Sequence, residues 1–360
     1  MNNFRILSLD GGGMRGYYTA SLLDHLSKLL NPTFKTAFAD IGKSFDLICG
    51  TSTGAILACG LAQGVPISAI KDLYADQGKQ IFPDPMPPEN KKIKTTGWRV
   101  RNFSSPSGNS TKLRGALEDL FGKTTLADVY KHRKIRLCIP TTETSSFKPV
   151  VFKTPHLPGR NRDDTRTLVD VCMASAAAPI YLPLATQPNP LDSNSTDNFA
   201  DGGLWANNPA MIGFTEALLL NQGNIDIVSA GTCETPNGDP FAEKTERGIK
   251  DWMFGAGIVK LSLAAQAKAT CHVLDLIEQA FQSNDVGLKI RFLRFLETAK
   301  SPEQYSAIDL DRSDQLALKT MTNLAKKDAE EIHSQVLSHK LRHGELLQDI
   351  FQVMGTIHNK

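Results

Sequence analysis

Apolar positions follow two rhythms through the first 235 residues. Short, nearly unbroken apolar runs read as buried strands at 4–9 (FRILSL), 45–50, 135–141, 148–153 and 225–231. Between them, apolar residues recur every three or four positions and predict helices over 17–30, 53–63, 67–78, 112–121, 167–177 and 210–221. In the first of these, Leu22, Leu23, Leu26, Leu29 and Leu30 make a single stripe. Strand–helix alternation predicts an α/β chain whose central sheet is mostly parallel, buried, and flanked by helices. In such sheets chemistry gathers beyond the carboxyl ends of the strands. After about residue 236 the rhythm turns mostly helical, with long stretches at 256–283 and 312–340. The pattern therefore predicts a core over 1–235 and a helical region over 236–360 packed on the same domain.

Two segments break the rhythm. Residues 83–111 are rich in Pro, Gly, Ser and Asn and read as an inserted loop or lid. That insert carries a basic cluster (Lys91, Lys92, Lys94, Arg99 and Arg101) around Trp98, a candidate contact with an anionic membrane surface. Residues 186–197 (TQPNPLDSNSTD) read as a polar, mobile loop.

Composition narrows the class. Hydrophobic residues at 41% and charged residues at 22% are ordinary for a globular chain of 360 residues. A net charge of +2 speaks against a protein built to hold DNA or RNA polymers. The start of the chain lacks the cationic-then-apolar signature of a signal peptide. Its six cysteines are scattered without paired spacing, which suits reduced thiols in a cytoplasmic protein. The spacing reveals no metal-ligand set, and the expected chemistry needs neither metal nor cofactor.

Three motifs carry that chemistry. After the first strand comes DGGGMRG, residues 10–16, in which Gly11, Gly13 and Gly16 also fit the dinucleotide pattern G-x-G-x-x-G. A dinucleotide fold ends its second strand in an acid, whereas this second strand ends in Gly50-Thr51-Ser52. The glycine loop is better explained as an oxyanion hole formed by backbone N–H groups around Gly11, Gly12 and Gly13. Arg15 would brace the loop or meet an anionic substrate group. The second strand runs into GTSTG, residues 50–54, which matches the nucleophile elbow G-x-S-x-G between a strand and a helix. Ser52 is the candidate nucleophile, with Gly50 and Gly54 permitting a close strand–helix crossing.

Ser52 then needs a base. Among eight histidines, only His272 follows a plausible acid in the Ser–Asp–His order, and it lies in a helical stripe. The stronger candidate is Asp201 in NFADGGLWANNP, at a strand end before Gly202 and Gly203. A carboxylate with its ordinary pKa of about 3.9 is a weak base unless burial raises it.

These motifs, in this order and together with ASAAAP at 174–179, resemble the patatin-like phospholipases. The resemblance implies a three-layer patatin-like fold and a Ser52–Asp201 dyad with no histidine. It also implies hydrolysis of acyl esters in membrane phospholipids, with the enzyme peripheral to the inner membrane when active. The size and helical C-terminal region are similar to bacterial patatin-like effectors of antiphage defence, which implies a cyclic dinucleotide activator and allows a homo-oligomer.

Overall fold

The computed structural model describes residues 3–86, 97–98, 102, 105–190, 192–233, 245–248, 252, 256–284, 287–298, 300–352 and 354–357. One eight-stranded sheet organises them: β1 (Phe4–Leu9), β2 (Leu47–Gly50), β3 (Arg136–Glu143), β4 (Lys148–Lys153), β5 (Ala185–Asn189), β6 (Asp192–Asp201), β7 (Ile225–Ala230) and β8 (Ile290–Arg294). The order across the sheet is β5-β6-β3-β2-β1-β7-β8, with β4 paired to β3. Pairings from β3 through β8 along this path are parallel, while β4, β5 and β6 join antiparallel. The apolar run FRILSL sits near the centre because it has layers to fill on both sides. Leu7 and Leu9 enter one hydrophobic core, and Phe4 and Ile6 enter the other.

The larger core is covered by α1 (Gly16–Leu30), α2 (Thr53–Gln63), α3 (Ile67–Ile81), α4 (Ser110–Phe121), α5 (Leu126–Arg133) and α6 (Leu168–Ser175). The smaller core lies under α7 (Ala210–Leu219) and α8 (Ala256–Ser283). The arrangement is helices, sheet, helices. The C-terminal part takes part in both sheet and core. Strand β8 closes one sheet edge against β7, and α9 (Gln315–Leu337) lies along α1, where Tyr18 donates to Asp328 at 2.6 Å.

Residues 186–197, expected as a mobile loop, instead form most of the β5–β6 hairpin. An edge hairpin needs no apolar stripe, since its backbone ladder supplies the cohesion. Side-chain bonds add to it, Thr186 donating to Asn198 at 2.7 Å and Asn189 to Asp197 at 3.1 Å. Helix α5 was not apparent from the hydrophobic pattern. Its Thr125–Asp128 capping box supplies the start signal that the weak stripe lacks.

The register on β3 positions the site. Residues Arg136–Cys138 pair with Leu47–Cys49 of β2, while Thr141–Glu143 pair with Phe199–Asp201 of β6. Thus β2 ends halfway along β3, and the end of β6 takes over the vacated edge. The segment following Cys49 therefore meets Asp201 at the carboxyl end of the sheet.

Candidate active site

Ser52 stands between β2 and α2 with φ 54° and ψ −118°, a conformation disfavoured for a side-chain-bearing residue. The sharp turn lifts its side chain off the sheet. Two close approaches make it possible. A Cβ on Gly50 would lie 2.1 Å from the Gly54 carbonyl oxygen, and one on Gly54 would lie 2.1 Å from that of Leu9. Gly50→Ala is accordingly expected to destabilise the fold by about 3 kcal/mol or more, because backbone must move to admit the methyl group. Chemical denaturation of the purified variant measures this. The strained turn is also tied down: the Ser52 N–H donates to Ser175 Oγ at 2.9 Å, and the Ser175 hydroxyl donates to the Pro140 carbonyl at 2.7 Å. Thr51 donates to the Ala206 carbonyl at 2.6 Å.

Asp201 ends β6, its carboxylate accepts the Gly203 N–H at 2.7 Å, and the Ser52 side chain lines the same cleft beside it. Ser52 is 8% exposed and Asp201 6%. Burial pushes the Asp201 carboxyl up to about 6, with the Gly203 N–H and the neighbouring Ser52 hydroxyl pulling against it. The tight turn after Asp201 explains its glycines. A Cβ on Gly202 would meet the Pro140 carbonyl oxygen at 2.2 Å, and one on Gly203 would meet Leu263 at 2.8 Å.

The glycine loop arches over the same spot, with one correction to the sequence reading. The Gly11 N–H donates to the Asn207 carbonyl at 3.0 Å, so that amide is already spent. For the N–H groups of Gly12 and Gly13, the hydrogen bonds among the described residues include no acceptor, and both residues line the cleft beside Ser52. Gly13 has φ +56°, and a Cβ there would lie 2.1 Å from the Leu310 carbonyl oxygen. That carbonyl accepts the Met14 N–H at 2.7 Å. Arg15 donates from Nε to the Gly12 carbonyl at 3.3 Å and is absent from the cleft lining, which fits the bracing role. Gly16 faces Thr53, whose Oγ1 would lie 1.9 Å from an added Cβ. At the loop's start, buried Asp10 pairs with Arg294 of β8 at 2.6 Å.

Ser52, Asp201, Gly12 and Gly13 line one cleft of about 840 Å³, including its solvent-open part. Its walls are chiefly apolar, among them Ile56, Leu73, Leu113, Leu182 and Leu263. No histidine appears among the lining residues, and His272 lies exposed on α8. The histidine alternative therefore loses its candidate.

Trp98 is buried, 5% exposed, and donates from Nε1 to the Asp84 carbonyl at 2.7 Å. It packs with Met86, Tyr181 and Leu310, which removes it as a headgroup contact. Lys91, Lys92, Lys94, Arg99 and Arg101 lie outside the described residues. Sequence reasoning did not single out Ser175, Asn207 or Arg294. Ser175 lies inside the ASAAAP motif, but nothing local tells that its hydroxyl holds the elbow.

One group of possible metal ligands lies elsewhere, on the other side of the sheet. Cys138, His156 and Glu216 each bring a ligand atom within 4.8 Å of the others. Their donors are engaged, however. Thr154 accepts the Leu137 N–H at 3.0 Å and bonds His156 Nδ1 at 2.8 Å, leaving His156 Nε2 to bond Glu216 at 3.0 Å. Lys153 pairs with the other Glu216 oxygen, so the protein supplies its own cation there.

Comparison with known proteins identifies the family of the chain. Residues 7–214 match the family model described as patatin-like phospholipase. A protein named cGAMP-activated phospholipase from Escherichia coli (strain TW11681) is 37% identical over 228 residues, 62% of this chain and 58% of that relative. Its namesake from Pseudomonas aeruginosa (strain BWHPSA011 / Pa011) is 33% identical over 276 residues, 75% of this chain and 74% of the relative. A third, from Vibrio cholerae serotype O1, is 30% identical over 365 residues, 98% of this chain and 95% of the relative.

Proposed function

The chain belongs to the patatin-like phospholipase family, and we propose that it hydrolyses acyl esters of membrane phospholipids through Ser52 and Asp201. The observation that carries this reading is that two buried side chains, Ser52 and Asp201, share the lining of one largely apolar cleft with Gly12 and Gly13. A phospholipid would lay one acyl chain in the cleft, bringing its ester carbonyl to Ser52. Asp201 takes the Ser52 proton as Oγ attacks the carbonyl carbon. The oxyanion that forms is met by the N–H groups of Gly12 and Gly13, each such donor being worth about 2.7–4 kcal/mol of barrier. As the intermediate collapses, Asp201 passes the proton to the departing lysophospholipid oxygen, leaving the acyl group on Ser52. Water then enters and attacks the acyl carbonyl as Asp201 takes its proton. Asp201 returns that proton to Ser52 Oγ as the C–Oγ bond breaks and the fatty acid leaves.

A base must be ionised to act. With its carboxyl at about 6, Asp201 lies near neutral working pH, where a general base is most effective. The rate is expected to climb through pH 6 and level off above it.

Relatives named cGAMP-activated phospholipase support a cyclic dinucleotide as activator. No helix among the described residues is long and apolar enough to cross a membrane, which fits peripheral attachment to the bilayer. The test is fatty-acid release from phospholipid vesicles, with and without cGAMP and a panel of cyclic dinucleotides. A large nucleotide-dependent release that rises through pH 6 is expected. Release of the same size without any nucleotide would refute the activator, and no release under any condition would refute the phospholipase.

A further inference from the structure

Helix α8 has two sides with different tasks. Ala267, Leu274 and Glu278 are buried against the body, and Val259 and Leu263 line the cleft. At 100° per residue the opposite side gathers Ile258, Leu261, Ala265, Ala269, Val273 and Leu276 into one stripe about 27 Å long, from a rise of about 1.5 Å per residue. Its large members are well exposed: Ile258 53%, Leu261 52%, Val273 42% and Leu276 50%. The exposed positions of α8 include Lys268 and His272 but no acid. Glu278 is buried against His343, and half-buried Asp275 pairs with Arg342. The face is thus largely apolar, with Ser262 and His272 within it, Lys268 at its edge and the Asp275–Arg342 pair beyond.

We propose that this face of α8 lies on an anionic phospholipid leaflet, seated in the boundary between headgroups and acyl chains. Three observations favour a leaflet over other occupants. The composition is that of an interfacial helix, an apolar stripe edged by Lys268. Exposed Lys268 complements anionic headgroups, and the nearest acid, Asp275, is paired with Arg342. The stripe is also continuous with the acyl cleft: the first turns of α8 carry both Ile258 and Leu261 on the outside and Val259 and Leu263 on the cleft wall. Leu204, 40% exposed and itself lining the cleft, sits next to Gly203, which Leu263 packs against. A lipid rising from the leaflet would enter the cleft beside this helix. That route rests on the acyl-hydrolase reading, whereas the seating of the helix does not. The proposal moves the membrane contact away from Trp98, which the fold buries.

The test uses the full chain and vesicles of phosphatidylethanolamine with phosphatidylglycerol. Leu261→Glu/Leu276→Glu is compared with Leu261→Ile/Leu276→Ile and the unaltered protein by vesicle co-sedimentation, light-scattering mass and hydrolysis of a soluble short-chain ester. Neither leucine lines the cleft. The glutamate pair is expected to lower vesicle binding by about tenfold or more and to leave soluble-ester hydrolysis within about twofold, and the isoleucine pair to bind as the unaltered protein does. Undiminished vesicle binding by the glutamate pair would overturn the proposal. So would a dimer that this pair converts to monomer without loss of vesicle binding, since the face would then belong to a second copy. Vesicle binding through α8 by a protein that cleaves neither ester substrate would sustain the docking face and reject the hydrolase.

Discussion

Ser52→Ala is expected to lower phospholipid acyl hydrolysis by on the order of 10⁵-fold or more, because no other group can carry the acyl intermediate. The elbow should survive the change. Alanine keeps a side chain at φ 54°, and the backbone bond from residue 52 to Ser175 does not use the hydroxyl. Its melting temperature should therefore stay within a few degrees of the parent. What the substitution removes is a hydroxyl beside the Asp201 carboxylate that favours its charged form. The carboxyl should rise further as a result, which a pH titration of the variant would reveal. Steady-state assays on vesicles, with cGAMP added, measure the loss of rate.

Asp201→Asn is expected to cut activity by on the order of 10³–10⁴-fold, the size of effect seen when a general base loses its basicity but keeps its shape. Its effect on stability should have the opposite sign. Burial raises the folded-state carboxyl from the ordinary carboxylate value to about 6, so the native protein holds its proton more tightly than the unfolded chain does. Above the unfolded pKa, about 3.9, folding pays an increasing penalty that is complete above pH 6 and absent below pH 4. The full penalty is about 3 kcal/mol. The amide has no charge to bury and can still accept the Gly203 N–H. The variant should accordingly be more stable than the parent at pH 8, with the advantage fading as pH falls toward 4. Denaturant unfolding at the two pH values gives the difference directly. Equal stability at pH 8 would mean that the carboxylate is not held under strain.

What the sequence made legible follows from how local each signal is. The apolar runs of β1, β2 and β7 fill both cores and announce themselves. Gly50 and Gly54 mark the elbow because the crossing of strand and helix leaves no room for a Cβ at either position. Asp201 was legible from the glycines that follow it, which the turn under Pro140 requires. Other features depended on distant partners. That the Gly11 amide is occupied follows from Asn207, which arrives from beyond β6. The elbow's tether comes from Ser175 at the end of α6, and the glycine loop's brace from Arg294 at the far sheet edge. The β5–β6 hairpin was missed because its cohesion is a backbone ladder on a polar edge, where hydrophobic periodicity carries no information. Trp98 misled for the complementary reason: cationic neighbours in sequence suggested a wet surface, while the fold turns the ring inward against Tyr181 and Leu310.

The central claim is that Asp201 activates Ser52 beside the amides of Gly12 and Gly13. Its most direct test is the rate at which a fluorophosphonate phosphonylates the protein, followed by intact mass and peptide mapping. The account predicts one adduct, on Ser52, forming at a rate that rises through pH 6, absent in Ser52→Ala and slowed by orders of magnitude in Asp201→Asn. An adduct on another residue, or equally fast labelling of Ser52 without the carboxylate, would contradict it.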